Sequence, residues 1–289
     1  MNKVSIVIPA KNEAEGLKSF LPSLSRNFPE AEIIVVDDGS RDDTRKICED
    51  FGIKCISHLY SKGNGAAIKT GARSATGDVI VFMDADGQHD PQMIHMLLEE
   101  IDRGFDMVIG ARDKASQANF GRLVANAIYN KFASLIVNHQ VLDLTSGFRA
   151  VKSDKFRQFM DLYPNGFSYP TTCTMAFYRS GYAIGYVPIR AAQRIGRSHI
   201  HIIKDGIRFL LILFKVGTLY SPLKIFVPAS FVFFLMGLGH YMFTFFTEGR
   251  FTNMSALLFI NSIIIFLIGL VSEQITAILY SHIYKNSDE

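Results

Sequence analysis

Two carboxylates two positions apart are the residues of this chain best suited to chemistry. Asp84 and Asp86 directly follow the apolar run 79–83, which is typical of a buried strand that ends in a polar turn. Such carboxylates repel each other unless a proton or a cation lies between them. Their oxygens suit a hard divalent cation, Mg²⁺ or Mn²⁺, that carries a diphosphate. The pattern predicts a metal-nucleotide site; the simpler alternative is that Asp84 caps a turn and Asp86 is solvated.

Alternating strands and helices must position this pair. From residue 4 to about residue 110, short β-branched runs alternate with helical segments, which indicates an α/β fold with a mostly parallel, doubly wound sheet. The predicted strands are 4–8, 32–36, 53–57, 79–83 and 107–110, and the predicted helices are 13–25, 42–51, 66–75 and 91–103. A less regular stretch follows, with helices predicted within 123–137 and 167–181 and a strand over 183–188.

Polar residues also follow the first two predicted strands. Asn12 and Glu13 come after the first strand, and Asp37 and Asp38 end the second. Because parallel strands present their carboxyl ends at one edge of a sheet, we expect these residues to lie beside the acidic pair. There they can accept hydrogen bonds from a base or a ribose. The alternative is a turn in which these carboxylates and their neighbours cap a helix.

Lys62 and Gly63 open the helix that precedes the acidic strand. A helix N-terminus with glycines and a lysine favours anions. The spacing fits neither a P-loop nor a G-x-G-x-x-G motif, because Ile68 stands where each needs a glycine. By itself this segment is weak evidence for a phosphate site.

The last third of the chain is apolar. Residues 222–246 carry one charge, Lys224, and residues 254–271 carry none. Each stretch is also long enough to cross a bilayer. The short turn between them predicts an antiparallel hairpin, with a buried soluble helix pair as the alternative. Residues 200–221 mix apolar side chains with lysine and arginine, which predicts an amphipathic helix in the membrane interface or a helix packed on the domain.

Charge and cysteine content limit the possible partners and location. The 289-residue chain has a formal net charge of +3, which excludes a strong nucleic-acid footprint. Its three cysteines are scattered without metal-ligand spacing and cannot all pair, which favours a reducing, cytosolic environment for the globular part. The apolar run 4–8 is too short for a signal peptide.

Charges beside the hairpin predict its orientation. Lysine and arginine residues precede the first span and Lys285 follows the second. The positive-inside rule therefore places the globular domain and the C-terminus in the cytoplasm. Glu273 lies near the inner end of the second span, where an interfacial position is expected.

Several motifs in register point to a known family. The segments IPAKNE, VVDDGS, KGNGAA, FMDADGQHDP, GAR and DLTSGFRA resemble those of family 2 glycosyltransferases with a GT-A fold. The resemblance is to the polyprenyl-phosphate (dolichol-phosphate-type) branch, covers about residues 3–200 and agrees with the hairpin. It implies a GT-A domain over 1–199, an interfacial helix over 200–221, a hairpin over 222–284 (spans at about 222–246 and 254–280) and a tail over 285–289.

The resemblance also implies roles for individual residues. Pro9, Asn12, Glu13 and Asp38 match donor-binding positions of the family. Asp84, Asp86 and Gln88 match its metal-binding positions. The positions near the acceptor phosphate are matched by Arg112, Ser146, Arg149, Arg194 and Ser198. Asp84, Asp86 and Arg149 are the expected catalytic residues. Two positions depart from the family: Lys11 replaces a frequent aromatic residue, and His199 stands where lysine is usual.

The implied reaction transfers a sugar from a nucleotide diphosphosugar, UDP being favoured over GDP, to polyprenyl phosphate with inversion. A phosphate monoester is largely ionised at neutral pH, since its second pKa is about 6, so no strong general base is required. Asp143 is either such a base or the salt-bridge partner of Arg149.

The family also suggests assembly into a homotetramer through the hairpin and a role in cell-envelope glycan or glycoprotein synthesis. Two other functions stay open. A processive polysaccharide synthase is disfavoured by the absence of tryptophan from the whole sequence and by only two predicted spans. A non-catalytic nucleotide-sugar sensor is disfavoured by the intact acidic motif.

Overall fold

The chain folds into two units, Met1–Ile202 and Ile203–Glu289. The computed structural model describes residues 2–112, 120–166, 168–189, 211, 214, 215 and 217–285. The predicted domain end at residue 199 and most of the predicted interfacial helix lie outside the described residues and stay predictions.

A seven-stranded sheet forms the centre of the first unit. Its strands are β1 (Val4–Ala10), β2 (Glu32–Asp37), β3 (Lys54–Ser57), β4 (Val79–Phe82), β5 (Met107–Arg112), β6 (Arg149–Lys152) and β7 (Ile184–Ile189). The spatial order is β3-β2-β1-β4-β6-β5-β7. All neighbouring pairs are parallel except those of β6, which runs antiparallel to β4 and β5. The predicted α/β fold with a mostly parallel sheet is confirmed.

Helices cover both faces of this sheet. The described helices of this unit are α1 (Ala14–Asn27), α2 (Thr44–Asp50), α3 (Asn64–Ser74), α4 (Met93–Asp102), α5 (Phe120–Val137), α6 (Ser153–Gln158) and α7 (Tyr169–Arg179). The buried side chains of α1 and α4, including Leu17 and Leu97, join Ile6 and Ile8 of β1 in one core cluster. On the other face, Gly71 of α3 lies so close to Val7 that a Cβ would overlap it. Burial on both faces explains why these strands read as continuous apolar runs.

The structure contains two elements that the sequence pattern did not predict. The strand β6 is four residues long and begins and ends with charged side chains, Arg149 and Lys152, and α6 follows it directly. A short strand with charged ends has no apolar periodicity to reveal it. Its place between β4 and β5 makes β6 the interior antiparallel strand of the sheet.

Two long helices make up most of the described part of the second unit. The helices α8 (Leu223–Glu248) and α9 (Asn253–Lys285) pack against each other, and Gly249 ends α8 with a left-handed φ of 68°. Ser230 and Ser262 each donate a hydrogen bond to the other's carbonyl oxygen at 2.9 Å. Most of the outward-facing side chains on both helices are apolar, as in lipid-facing surfaces.

The hydropathy of these helices fits a membrane hairpin. Leu223–Glu248 and Asn253–Ser281 are each long and apolar enough to cross a bilayer. The carboxylate of Glu273 accepts a hydrogen bond from the N–H of Leu223 at 3.5 Å, at the first turn of α8. Glu273 therefore interacts with the start of the neighbouring helix, where unsatisfied N–H groups favour a negative charge.

Candidate active site

A cavity of about 400 Å³ lies at the carboxyl edge of the parallel strands in the first unit. Six chain segments converge on it, as expected where the strand order reverses in an open α/β sheet. The residues that line it are Pro9, Ala10, Lys11 and Glu13 at and after the end of β1; Asp38 after β2; Ser61, Gly63, Asn64 and Ala67 around the start of α3; Asp84, Ala85 and Asp86 after β4; Thr145 and Gly147 before β6; and Pro170 in α7. Six of the predicted site residues share this wall: Pro9, Glu13, Asp38, Gly63, Asp84 and Asp86.

Asp84 and Asp86 present two half-buried carboxylates to the cavity. Asp84 lies against Gly147, where a Cβ would come within 2.9 Å and 3.2 Å of its two carboxylate oxygens. The N–H of Gln88 donates to Asp86 Oδ1 at 3.1 Å and tightens the turn. The described residues contain no cluster of three or more acidic, histidine or cysteine ligands. Carboxylate oxygens nevertheless fit a hard cation that takes its other ligands from a diphosphate and water.

Asp38 organises the loop that precedes α3. Its carboxylate accepts four hydrogen bonds, from His58 Nδ1 and Ser61 Oγ at 2.7 Å, Lys62 N at 2.8 Å and Gly63 N at 2.9 Å. Burial by itself raises the pKa of Asp38, but these hydrogen bonds outweigh it and lower the pKa to about 2. The carboxylate is therefore ionised and its lone pairs are used within the protein, so Asp38 shapes the cavity wall through this loop.

The glycines at the start of α3 serve a contact within the protein. A Cβ at Gly63 would overlap the carbonyl oxygen of Asn165, and one at Gly65 would overlap that of Pro164. Gly63 also has a left-handed φ of 104°. The Asn165 carbonyl accepts a hydrogen bond from Ala66 N at 3.1 Å, as an anion would at a helix N-terminus. Backbone capping thus satisfies part of this helix N-terminus, and anion binding by the segment stays a prediction; Gly63 lines the cavity, whereas Lys62 does not.

Asn12 and Asp37 lie just outside the wall and build its turns. Asn12 has a left-handed φ of 55°, accepts from Arg41 N at 2.8 Å and donates its own N–H to Ser40 Oγ at 2.9 Å. The carboxylate of Asp37 accepts from Ser40 N at 2.8 Å. These contacts match the turn interpretation of the two residues and tie the loop after β1 to the loop after β2.

Arg112 and Asp143 form a bidentate ion pair beside the cavity. Arg112 donates to the two oxygens of Asp143 at 2.8 Å and 3.0 Å, and to Oγ1 of Thr145, which lines the cavity, at 2.6 Å. Burial raises the pKa of Asp143, but its hydrogen bonds and ion pair with Arg112 lower it overall. The salt bridge that was one alternative for Asp143 is therefore made with Arg112 and not with Arg149. A carboxylate held in this way is a weak proton acceptor.

Arg149 is buried in the core and does not reach the cavity wall. Its guanidinium donates to the carbonyl oxygens of Ser146 and Pro170 and to Thr174 Oγ1. The side chain of Ser146 is also buried. The expectation that Arg149 and Ser146 contact the acceptor phosphate directly does not fit this geometry, because both side chains point into the protein.

The remaining predictions divide into two groups. Gln88 contributes its backbone N–H near the cavity, while Arg194, Ser198 and His199 lie outside the described residues. Several residues of the cavity wall are not among the predicted site residues: Ser61, Asn64, Thr145, Gly147 and Pro170. Thr145 and Gly147 flank Ser146 in the DLTSGFRA motif, so a segment that the motif marked lines the cavity, while Ser146 itself is buried.

The fold and the acidic cavity together define a GT-A-like glycosyltransferase. The sequence profile of Glycosyl transferase family 2 matches residues 5–160, which is more than half of the chain. The protein belongs to this family and is an enzyme of the glycosyltransferase class. A second profile, the GtrB C-terminal hairpin, matches residues 221–278 and covers most of α8 and α9.

Curated relatives and solved structures agree with this assignment. Undecaprenyl-phosphate mannosyltransferase of Micrococcus luteus is 31% identical to this chain, and the matched region covers 66% of this chain and 84% of the mannosyltransferase. Polyprenol monophosphomannose synthase of Mycolicibacterium smegmatis is 29% identical, covering 65% and 77%. CsbB of Bacillus subtilis is 25% identical over 96% of this chain and 88% of its own. Glucosyl-3-phosphoglycerate synthase of Mycobacterium tuberculosis, crystallised with Mn²⁺, UDP and glucosyl-3-phosphoglycerate, has a similar fold (TM-score 0.60, 22% identity, covering 75% of this chain and 79% of that one).

Proposed function

We propose that this enzyme transfers a sugar from a nucleotide diphosphosugar to polyprenyl phosphate, giving a polyprenyl-phosphate-linked monosaccharide. The observation that carries the proposal is the pair Asp84 and Asp86 on the wall of one cavity, in a chain that also carries a membrane hairpin. The names of two relatives, a polyprenol monophosphomannose synthase and an undecaprenyl-phosphate mannosyltransferase, supply the acceptor class.

On the donor side, Asp84 and Asp86 would hold a divalent cation together with the donor diphosphate, Mg²⁺ and Mn²⁺ being equally suited to oxygen ligands. When bound, the cation would neutralise the charge that develops on the leaving diphosphate. The loop held by Asp38 and the backbone near Pro9 would form the nucleoside side of the cavity. UDP is the favoured nucleotide, since a protein of similar fold was crystallised with UDP and Mn²⁺.

On the acceptor side, the nucleophile would be an oxygen of the lipid phosphate. This group is ionised at neutral pH, so the attack on the anomeric carbon needs no proton acceptor, which agrees with the engagement of Asp143 by Arg112. In-line attack would invert the anomeric configuration. Arg112, whose side chain is 30% exposed, donates to Thr145 of the cavity wall and would attract the phosphate there.

The hairpin would place this reaction beside the bilayer. A polyprenyl chain stays in the hydrocarbon, so its phosphate is presented at the interface, and an enzyme that uses it must work there. We propose that the catalytic unit and both ends of the hairpin face the cytoplasm, in accordance with the basic residues on that side of the spans. Protease treatment of inside-out vesicles should then digest the catalytic unit. If the catalytic unit were protected, the orientation would be the opposite of the one proposed.

The test uses full-length protein in detergent with polyprenyl phosphate, Mg²⁺ or Mn²⁺ and radiolabelled UDP- and GDP-sugars, including mannose donors. We expect label to move into the organic phase with one donor and only when metal is present. Asp86→Ala should abolish this transfer, while Asp90→Asn, at an exposed aspartate four residues along the same loop, should keep it. Sugar transfer that persists in Asp86→Ala would refute the proposed metal site. Transfer to a water-soluble acceptor alone would refute polyprenyl phosphate as the acceptor.

A further inference from the structure

A fully buried arginine joins two walls of the cavity. Arg149 has no exposed surface, and its Nη1 donates to the Pro170 carbonyl at 3.1 Å and to Thr174 Oγ1 at 3.2 Å. Its Nε donates to the Ser146 carbonyl at 3.2 Å, and Nη2 donates to the same oxygen. The guanidinium carbon lies 5.9 Å from the centre of the Tyr169 ring. One side chain therefore connects the segment before β6 to the first turn of α7.

The peptide held by this arginine supports the first carboxylate of the acidic pair. Ser146, which receives both hydrogen bonds, is followed by Gly147, and the Gly147 backbone lies against the carboxylate of Asp84. A Cβ on Gly147 would come within 2.9 Å and 3.2 Å of the two carboxylate oxygens. The position of the 146–147 peptide therefore limits where the Asp84 carboxylate can lie.

A second contact joins the same two segments. The ring of Phe148 stacks on that of His89, with ring centres 4.7 Å apart and an interplanar angle of 11°. His89 belongs to the loop that carries Asp84 and Asp86, and its ring is buried. The loop of the acidic pair and the segment 146–149 are thus packed against each other, which makes the anchoring of that segment by Arg149 relevant to both carboxylates.

We propose that Arg149 is a positioning residue that seats the Asp84 carboxylate for metal-diphosphate binding by holding the Ser146–Gly147 peptide against it. A buried charge is costly and an apolar replacement often stabilises a core, so stability alone is a poor reason for an arginine here. A planar fork that reaches three acceptors at once is something lysine cannot reproduce. This inference rests on the proposed metal site.

The test measures UDP affinity by calorimetry, with and without Mn²⁺, on full-length protein in detergent. Arg149→Lys should reduce the gain in UDP affinity that Mn²⁺ provides by about 10- to 100-fold, as loss of an outer support of a metal ligand does. UDP affinity without metal should stay unchanged. The matched control is Arg157→Lys, since Arg157 also donates to two backbone carbonyls, those of Ala72 and Ala75, away from the cavity.

A second variant keeps the test decisive if Arg149→Lys fails to fold. Gly147→Ala leaves the arginine in place but pushes on Asp84, so it should reduce the Mn²⁺-dependent gain in the same way. Gly166→Ala is its control, because a Cβ there would meet nothing within 4 Å. If Gly147→Ala, or a folded Arg149→Lys, kept the full gain, the positioning role would be overturned.

The metal site itself needs a separate variant. Asp86→Asn should lose the Mn²⁺-dependent gain whatever Arg149 does. If Asp86→Asn bound UDP and Mn²⁺ like the unmodified protein, the proposed metal site would fail. If it lost the gain while Arg149→Lys and Gly147→Ala kept it, only the role of Arg149 would fail.

Discussion

Replacing Asp38 by asparagine should destabilise the catalytic unit by about 2 kcal/mol at pH 7. The hydrogen bonds from the 58–63 loop lower the pKa of Asp38 from 3.8 to about 2, and one pKa unit corresponds to about 1.36 kcal/mol. The carboxylate is only 4% exposed, so solvent screening takes little from this value. Asparagine keeps one acceptor oxygen, and its amide group would face N–H and O–H donors that it cannot accept from.

The stabilisation by Asp38 should decrease as the pH falls. A carboxylate whose pKa is lowered by folding contributes stability above its unfolded pKa of about 4. The contribution is lost as the pH falls through about 2, the folded-state value. The unmodified protein should therefore lose about 2 kcal/mol more than Asp38→Asn between pH 5 and pH 2. Denaturant unfolding of the full-length protein in detergent, followed by circular dichroism at several pH values, measures both quantities.

Asp37→Asn is the matched control for this experiment. Asp37 is the preceding residue, is 5% exposed and accepts a hydrogen bond from one backbone N–H, that of Ser40. An asparagine oxygen can keep that bond, so we expect a loss below about 1 kcal/mol. Equal losses for the two variants at pH 7, or an unchanged acid dependence in Asp38→Asn, would refute the account of Asp38 as the residue that holds the 58–63 loop.

Four further predictions concern other parts of the molecule. Gly65→Ala should lower the melting temperature by several degrees, because its Cβ would overlap the Pro164 carbonyl, and a melting curve like that of the unmodified protein would contradict this packing. Glu32→Gln should lower the free energy of unfolding by about 3 kcal/mol near pH 7 and by little below pH 2, as measured by denaturant unfolding. The reason is that hydrogen bonds to the carboxylate outweigh burial and lower the pKa of Glu32 to about 2. Equal losses at both pH values would show that the ionised carboxylate is not the source of this stability. Arg112→Gln should raise the KM for polyprenyl phosphate more than the KM for the donor, and the reverse order would move Arg112 to the donor side. Ser262→Ala should cost about 0.6 kcal/mol in detergent unfolding by removing a hydrogen bond between α8 and α9, and an unchanged stability would show that packing alone holds the hairpin.

The sequence by itself determined the features that depend on neighbouring residues. Apolar runs placed most of the strands, helical spacing placed the larger helices, and hydropathy placed α8 and α9, because each pattern reflects burial along a single element. The position of Asp84 and Asp86 after a buried strand was enough to place both at the carboxyl edge of the sheet, where the cavity lies.

Only the tertiary structure decided what each polar side chain does there. The sequence pattern could not show that Arg149 points into the core, that Asp143 pairs with Arg112, or that the Asn165 carbonyl caps α3. These contacts join residues that are far apart in the chain and meet only when the sheet and its loops are assembled. A charged side chain in a motif can contact a ligand itself, or it can hold the backbone segment that contacts the ligand. Which of the two occurs depends on the direction of the side chain, and for Arg149 the packing around β6 sets that direction.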